Sequence, residues 1–344
     1  MTTLTRSTGR PSAPVVLILG ANGRLGRAAA RAFDAAGWCV LAQVRRDPSP
    51  DLPARAVVLK TALTDTTLLA AQAHGARVVL HALNPRLQRW RDEAVPLLLA
   101  GLAVAQRLQA RLLLPGDVQA YGAAMPERLS PSTPCRPSTP LGEVRLAMEQ
   151  AVARRCSRGD VSATILTSGQ YFGAGCGGWL DRVIAAALPE GRWTYPGPLD
   201  VPHAWAYLPD LAATLVALAA APSQAVCERF MFRGLSLTGA QWLTALDTAA
   251  LELGLWSGPP LRRQRMSWTL LRAGGLVHPG WRARAQLSHL WRVPHDLDER
   301  TLFERIGEVP MTPLGDALRA SLAARFPAAQ PVTAAGAIAA ATAR

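Results

Sequence analysis

Three glycines spaced three residues apart, in Gly20-Ala21-Asn22-Gly23-Arg24-Leu25-Gly26, follow directly on the apolar run Val15-Val16-Leu17-Ile18-Leu19. A glycine loop between a strand and a helix works by binding rather than by reacting. The first glycine permits a tight turn, the second lets the backbone approach a pyrophosphate, and the third lets the helix pack closely on the sheet. The helix N-terminus then offers free N–H groups and partial positive charge to phosphate oxygens. The loop therefore reads as a dinucleotide site, with Gly20, Asn22, Gly23, Arg24, Leu25 and Gly26 as its expected contacts and Ala82 beside them. The competing reading is a tight turn in a fold that holds no ligand.

The end of the second strand selects between dinucleotides. A carboxylate there would accept hydrogen bonds from a ribose 2′-hydroxyl. This chain instead has Gln43-Val44-Arg45-Arg46, and no carboxylate before Asp47. Guanidinium groups attract and fork onto a 2′-phosphate, which a carboxylate would repel. Arg45 and Arg46, with Arg24 as a second contact, favour NADP(H) over NAD(H); otherwise the two are solvated loop charges.

Elements at the spacing of a doubly wound fold must hold this loop. Strands are expected at 15–19, 40–44, 56–59, 78–82, 111–114 and 162–166. Helices are expected at 27–36, 66–73, 92–109 and 142–155, with a Pro/Ser/Thr-rich loop at 130–140. Alternation of this kind predicts an α/β, Rossmann-type, doubly wound parallel sheet with ligands at the carboxyl ends of its strands. Beyond Gly173 tryptophan, proline and glycine become frequent, and helices are expected at 238–253 and 311–326. The organisation expected is a flexible N-terminus (1–13) and a dinucleotide-binding domain (14–175, with 202–222 returning to it). A smaller C-terminal substrate domain (176–326) and a disordered tail (327–344) complete it.

Composition narrows the class. The chain has 344 residues, 49% hydrophobic and 18% charged, enough for a sizeable core. Five scattered cysteines make no C-x-x-C pair and suit a reducing cytoplasm rather than a disulfide framework. The first dozen residues lack the apolar stretch of a secretory signal. No apolar run is long enough for a membrane helix, so a soluble cytoplasmic protein with no membrane partner is expected. The net charge of +13 is almost all arginine, with Lys60 the only lysine. It reads as compositional bias, so nucleic acid is not an expected partner. The histidines have no metal-ligand spacing, and no metal is expected.

With its glycine loop, Val78-Val79-Leu80-His81-Ala82, Tyr121-Gly122, Thr164-Ile165-Leu166-Thr167-Ser168-Gly169-Gln170-Tyr171-Phe172-Gly173 and Ala206-Tyr207-Leu208-Pro209-Asp210-Leu211-Ala212, the chain resembles the short-chain dehydrogenase/reductase superfamily. The likeness is to its extended NAD-dependent epimerase/dehydratase branch and covers about residues 15–326. It implies a serine and a Tyr-x-x-x-Lys pair, in which the lysine lowers the tyrosine pKa for proton exchange. Here Leu141 stands for the tyrosine, Arg145 for the lysine, and Asp117 falls near the serine. None of the four tyrosines has a lysine four residues later.

Arg145 can supply charge but not a proton. Proton delivery would fall to Tyr121, Asp117, Tyr171, His203 or Tyr207. Of these, Tyr121, Asp117 and Arg145 are the catalytic candidates, and Tyr171, His203 and Tyr207 the substrate contacts. His81 reads as a hydrogen-bonded core residue. Trp179, Trp193, Tyr195, Trp205 and Tyr207 either wall a planar substrate or bury the seam between domains, and Trp256, Trp268, Trp281 and Trp291 read as core. The function expected is an atypical NADP(H)-dependent oxidoreductase or epimerase-like protein acting on a small molecule. The alternative is a non-catalytic NADP(H)-binding sensor or assembly factor. The resemblance also implies a homodimer formed through the helices at 92–109 and 142–155.

Overall fold

The structure is a computed structural model and describes residues 13–327. The expected flexible N-terminus and disordered tail therefore lie, but for residues 13 and 327, outside the described residues. In chain order the first elements are β1 (Val15–Leu19), α1 (Arg24–Ala35), β2 (Cys39–Gln43), β3 (Val57–Leu59), α2 (Thr66–Gln72), β4 (Ala76–His81), α3 (Trp90–Leu108) and β5 (Arg111–Asp117). Then come β6 (Arg128–Leu129), α4 (Pro140–Ser157), β7 (Ala163–Ser168), β8 (Gln170–Phe172), β9 (Arg192–Tyr195), β10 (Pro202–Tyr207), α5 (Leu208–Ala220) and β11 (Cys227–Phe232). The chain finishes with β12 (Leu235–Thr238), α6 (Gly239–Glu252), β13 (Arg262–Arg265), α7 (Trp268–Gly274), α8 (Pro279–Ala285), β14 (Asp296–Leu297), α9 (Arg300–Ile306) and α10 (Leu314–Arg325).

Seven parallel strands form the main sheet in the order β11-β7-β5-β4-β1-β2-β3. The period of two along β1 divides its side chains between two cores. Leu17 and Leu19 pack with residues of α2, α3 and α4, such as Leu69, Leu98 and Met148. Val16 and Ile18 pack on the opposite face with Phe33 of α1 and Leu211 and Leu215 of α5. Helices thus cover both faces, which is why β1 and β4 are apolar almost throughout. The expected α/β doubly wound parallel sheet is present, and each expected strand and helix of the first 166 residues appears within a few residues of its place. The strand order reverses between β1 and β4, where such sheets leave a crevice at their carboxyl ends.

After β7 the chain leaves the main sheet. β8 and β12 flank β10 in a small sheet, and β13 pairs with β9. A third core then forms around Trp193, Trp205, Trp242 and Trp291, with Phe172, Leu246 and Leu318. Trp205 and Trp242 stack with centroids 4.3 Å apart. The chain returns to the main sheet twice: α5 packs on α1, and β11 pairs with β7 as the seventh strand.

Candidate functional site

A cleft of about 1080 Å³ opens over the carboxyl ends of β1, β2, β4 and β5. The glycine loop forms one wall, and each of its glycines answers a local constraint. Gly20 has φ +80°, which disfavours other residues, and a side-chain carbon there would lie 2.9 Å from Leu83. A carbon on Gly26 would collide with the Gly20 carbonyl and lie 2.8 Å from the Ala21 Cα. Gly23 is the N-cap of α1, so the first amides of the helix face the cleft with no capping side chain in front of them. α1 begins at Arg24 rather than at residue 27 because the loop itself supplies its first turn. Gly20, Asn22, Gly23, Arg24, Leu25, Arg45, Arg46 and Ala82 all line the cleft, while Gly26 is buried behind it.

Gln43 is buried at the end of β2. Its side-chain oxygen accepts from the Gly20 amide at 3.2 Å, and its nitrogen donates to the Thr61 carbonyl at 3.0 Å. It braces the loop and leaves Arg45 and Arg46 exposed at the cleft edge. The nearest carboxylate, Asp47, is drawn onto Lys60 at 2.9 Å. Asn22 is committed to the same segment, donating to the Asp47 carbonyl and accepting from the Ser49 amide, both at 2.9 Å. Arg24 takes a different course from the one expected. Its guanidinium turns across the cleft and donates to the Gly173 carbonyl at 2.7 Å, so it bridges the glycine loop to the segment after β8.

Polar groups converge at the ends of β4, β5 and β8. Arg145, from α4, donates to the Pro115 carbonyl at 3.1 Å and lies 4.9 Å over the Trp90 ring. Tyr171, from β8, donates to the next carbonyl on the same strand, Gly116, at 3.4 Å, and its oxygen accepts from Ser168 at 3.3 Å. Burial pushes the Tyr171 hydroxyl upward, which keeps its proton on at neutral pH. His81 sits beneath; burial, with the Arg145 charge in support, pushes it down to about 4, so it is neutral. Asp117 accepts from the amide and side chain of Gln119 at 2.8 and 3.0 Å and caps the turn at Val118–Tyr121. Arg24 Nε, His81 Nε2, Gln119 Oε1 and Arg145 Nε are buried without a hydrogen-bond partner among the described residues, and all four residues line the cleft. Buried polar atoms of this kind take a polar partner, from water or from a ligand in the cleft.

Three expected site residues lie elsewhere. Tyr121 is fully buried and does not line the cleft. It faces the Glu149–Arg229 ion pair, and burial holds its hydroxyl up to about 12. His203 lies in the aromatic core, with Nδ1 3.3 Å from the Tyr195 hydroxyl and its ring 5.4 Å from Trp291; burial, then His295, pushes it down to about 3. Tyr207 packs on Phe172 at 5.1 Å, with Gly173 leaving room for its ring. Of the aromatic group expected to wall a substrate or bury a seam, Trp179 alone lines the cleft; Trp193, Tyr195 and Trp205 are core. Trp281, expected in the core, is exposed.

The cleft also contains residues the sequence reading missed, including Asn84, Arg86, Arg89, Trp90 and Gln170. A signal for some of them was present, because Leu83-Asn84-Pro85-Arg86 follows the fourth strand, where an α/β sheet presents ligand contacts. Six arginines (24, 45, 46, 86, 89 and 145) line the cleft against two carboxylates, Glu93 and Asp117. Glu93 is held by Arg89. The cleft is therefore electropositive.

Comparison with known proteins agrees with this geometry. Among solved structures, a UDP-glucose 4-epimerase from Thermotoga maritima superposes with a TM-score of 0.69 at 13% identity, covering 90% of this chain and 97% of its own. A UDP-glucuronic acid 4-epimerase from Bacillus cereus, solved with NAD, superposes at 0.70 with 14% identity, covering 90% of this chain and 98% of its own. At such identities the likeness shows the fold. In sequence, a dTDP-6-deoxy-L-talose 4-dehydrogenase (NAD(P)(+)) from Kitasatospora kifunensis is 29% identical over 188 residues, 52% of this chain. The match spans 59% of that relative's length. The sequence pattern of the NAD dependent epimerase/dehydratase family matches residues 16–231, from the first strand to the last strand of the main sheet. With that span and this loop, the chain belongs to the NAD dependent epimerase/dehydratase family.

Proposed function

We propose that the protein is an NADP(H)-dependent oxidoreductase or epimerase-like enzyme that acts on a small anionic molecule without a Tyr-x-x-x-Lys pair. One observation carries the reading. The amides of the glycine loop and the Tyr171–Arg145 group open into one cleft, whose lining is rich in guanidinium and holds four buried, unpartnered polar atoms. The glycine cradle fits a pyrophosphate, since side chains at its positions would fill the space that backbone must approach. A nicotinamide bound there would supply or accept hydride.

Exposed Arg45 and Arg46, with Asp47 neutralised on Lys60, support preference for a 2′-phosphate. Arg24 has no part in that preference, because it is engaged with Gly173. At the other end Arg145 would hold positive charge near an oxygen of a substrate bound in the cleft. Tyr171 keeps a proton on a long hydrogen bond that a substrate oxygen can replace. The relative's activity on a dTDP-sugar makes sugar nucleotides the first class to assay, and the cationic lining supports it.

Calorimetric titration of the purified protein with NADPH and NADH tests the cofactor. About tenfold or more tighter binding of NADPH is expected, in line with charge-assisted hydrogen bonds to one phosphate. Equal affinities would remove the NADP(H) preference, and no binding of either would remove the reading. Turnover is tested on sugar-nucleotide, carbonyl, quinone and imine panels. Binding of NADPH without turnover of any panel would favour the non-catalytic sensor instead.

A further inference from the structure

We infer that the α7–α8 hairpin is an interfacial anchor that docks the protein on an anionic phospholipid bilayer, with the mouth of the cleft beside the lipid. The inference departs from the expectation of no membrane partner, and it stands apart from the proposed chemistry. No helix among the described residues is long and apolar enough to cross a membrane. An anchor that lies in the interface needs no such helix.

Leu276 and Val277, at the tip of the hairpin, are 79% and 87% exposed, and Leu270 of α7 and Trp281 of α8 are exposed as well. Leu276 and Val277 are the two most solvent-exposed large apolar side chains among the described residues, and all four belong to one turn and its two helices. The turn is not loosely held. The amides of Leu276 and Val277 donate to the carbonyls of Ala273 and Gly274 at 3.1 and 3.2 Å, and the His278 amide to Gly274 at 2.9 Å. Arg282 donates to the carbonyls of Gly275 and Leu276 at 3.0 and 3.4 Å. The Trp281 ring lies against Gly274, where a side chain would exclude it. Most backbone groups at the tip are therefore satisfied internally, which lowers the cost of approaching an apolar phase. Two aliphatic side chains are held outward on a rigid support.

The charge around the tip matches one kind of surface. From residue 253 to residue 295 the sequence has seven arginines (262, 263, 265, 272, 282, 284 and 292) and neither aspartate nor glutamate. This stretch supplies more than half of the net charge of +13. Arg262, Arg265, Arg272, Arg282 and Arg292 are exposed. Arg272 in the last turn of α7 and Arg282 and Arg284 in α8 flank the apolar tip directly, and basic residues so placed suit anionic headgroups over acyl chains. The hairpin stands at the cleft: α8 packs on the 87–89 turn, which lines it, and Arg284 lies 5.9 Å over Trp179 in its wall.

Co-sedimentation of the full chain with vesicles tests the anchor. Binding is expected to phosphatidylcholine vesicles containing about one-third phosphatidylglycerol and not to pure phosphatidylcholine, with release as salt rises from about 0.1 to about 0.5 M. The double variant L276D/V277D is expected to lose at least about tenfold in partitioning while melting with the parent protein. A second variant, R272Q, leaves the tip intact and is expected to lose roughly fivefold on anionic vesicles. Failure of the parent to bind anionic vesicles would overturn the inference, as would equal binding to neutral ones or full binding by both variants. So would a dimer that L276D/V277D converts to monomer, since a second copy would then be what covers the tip.

Discussion

Tyr171 and Arg145 hang from adjacent carbonyls of one strand, Gly116 and Pro115, although they come from elements far apart in sequence. That arrangement puts a phenol and a fixed cation on the same patch of cleft, the two parts that Leu141 and a guanidinium on α4 cannot supply together. Tyr171→Phe is expected to lower kcat about a hundredfold, the scale of a lost general acid, with NADPH affinity within about twofold of the parent. Arg145→Gln is expected to lower kcat/KM about tenfold or more, and Arg145→Lys to recover part of it by restoring charge without the fork. Stopped-flow and steady-state assays separate the effects; unchanged kcat in the Phe variant would relieve Tyr171 of the role. The sequence displayed all four tyrosines, but not which one reaches the strand ends. Tyr121 lies next to β5 in sequence yet turns inward to Glu149 and Arg229, while Tyr171 reaches the cleft because β8 runs beside β10 and turns it back over β5. Side-chain direction of that kind depends on tertiary packing that no local spacing encodes.

At the scale of elements, the approach of α1 to the sheet is the dimension that the dinucleotide site depends on. Gly26→Ala is expected to force the helix away from Gly20 and Ala21, at a cost of roughly 1–3 kcal/mol in stability, and to weaken NADPH binding at least about tenfold. Thermal melts and titration on the same sample check both, and a variant that binds as the parent does would show that the spacing is not critical. The glycine loop and the alternating elements around it were legible because each follows a local rule: buried parallel strands are apolar, and the turn needs glycine. β11 was not legible as a sheet strand. Glu228 and Arg229 interrupt its apolar pattern, and only the fold supplies their partners, Arg305 at 2.6 Å and Glu149 at 2.5 Å. His203 and Tyr207 were misplaced for a related reason. A loop expected to face ligand is instead β10, the central strand of the small sheet, with both side chains turned into packing.

Across the whole molecule, three buried histidines set the response to acid. Burial holds His81 at about 4 and His203 at about 3, and it also lowers His295. In the unfolded chain each takes up a proton near pH 6.5, so between that value and the folded one the unfolded state binds more protons. Stability attributable to these groups is therefore present above about pH 6.5 and is lost as pH falls toward 4. Unfolding free energy is expected to drop between pH 7 and pH 5 by on the order of 1–2 kcal/mol for a fully buried histidine such as His81, and the melting temperature to fall with it. His81→Asn and His203→Asn are expected to flatten the profile; a melting curve flat over that range would contradict the account. The path of the backbone carries a last consequence. Because β11 is laid down against β7 only after the small sheet has begun, excising the first 175 residues as a fragment would strip β7 of its neighbour and leave a raw edge of amides and carbonyls, prone to sticking to its own kind. Anyone wishing to splice, swap or permute this protein must therefore move both parts together, since no single snip frees either one.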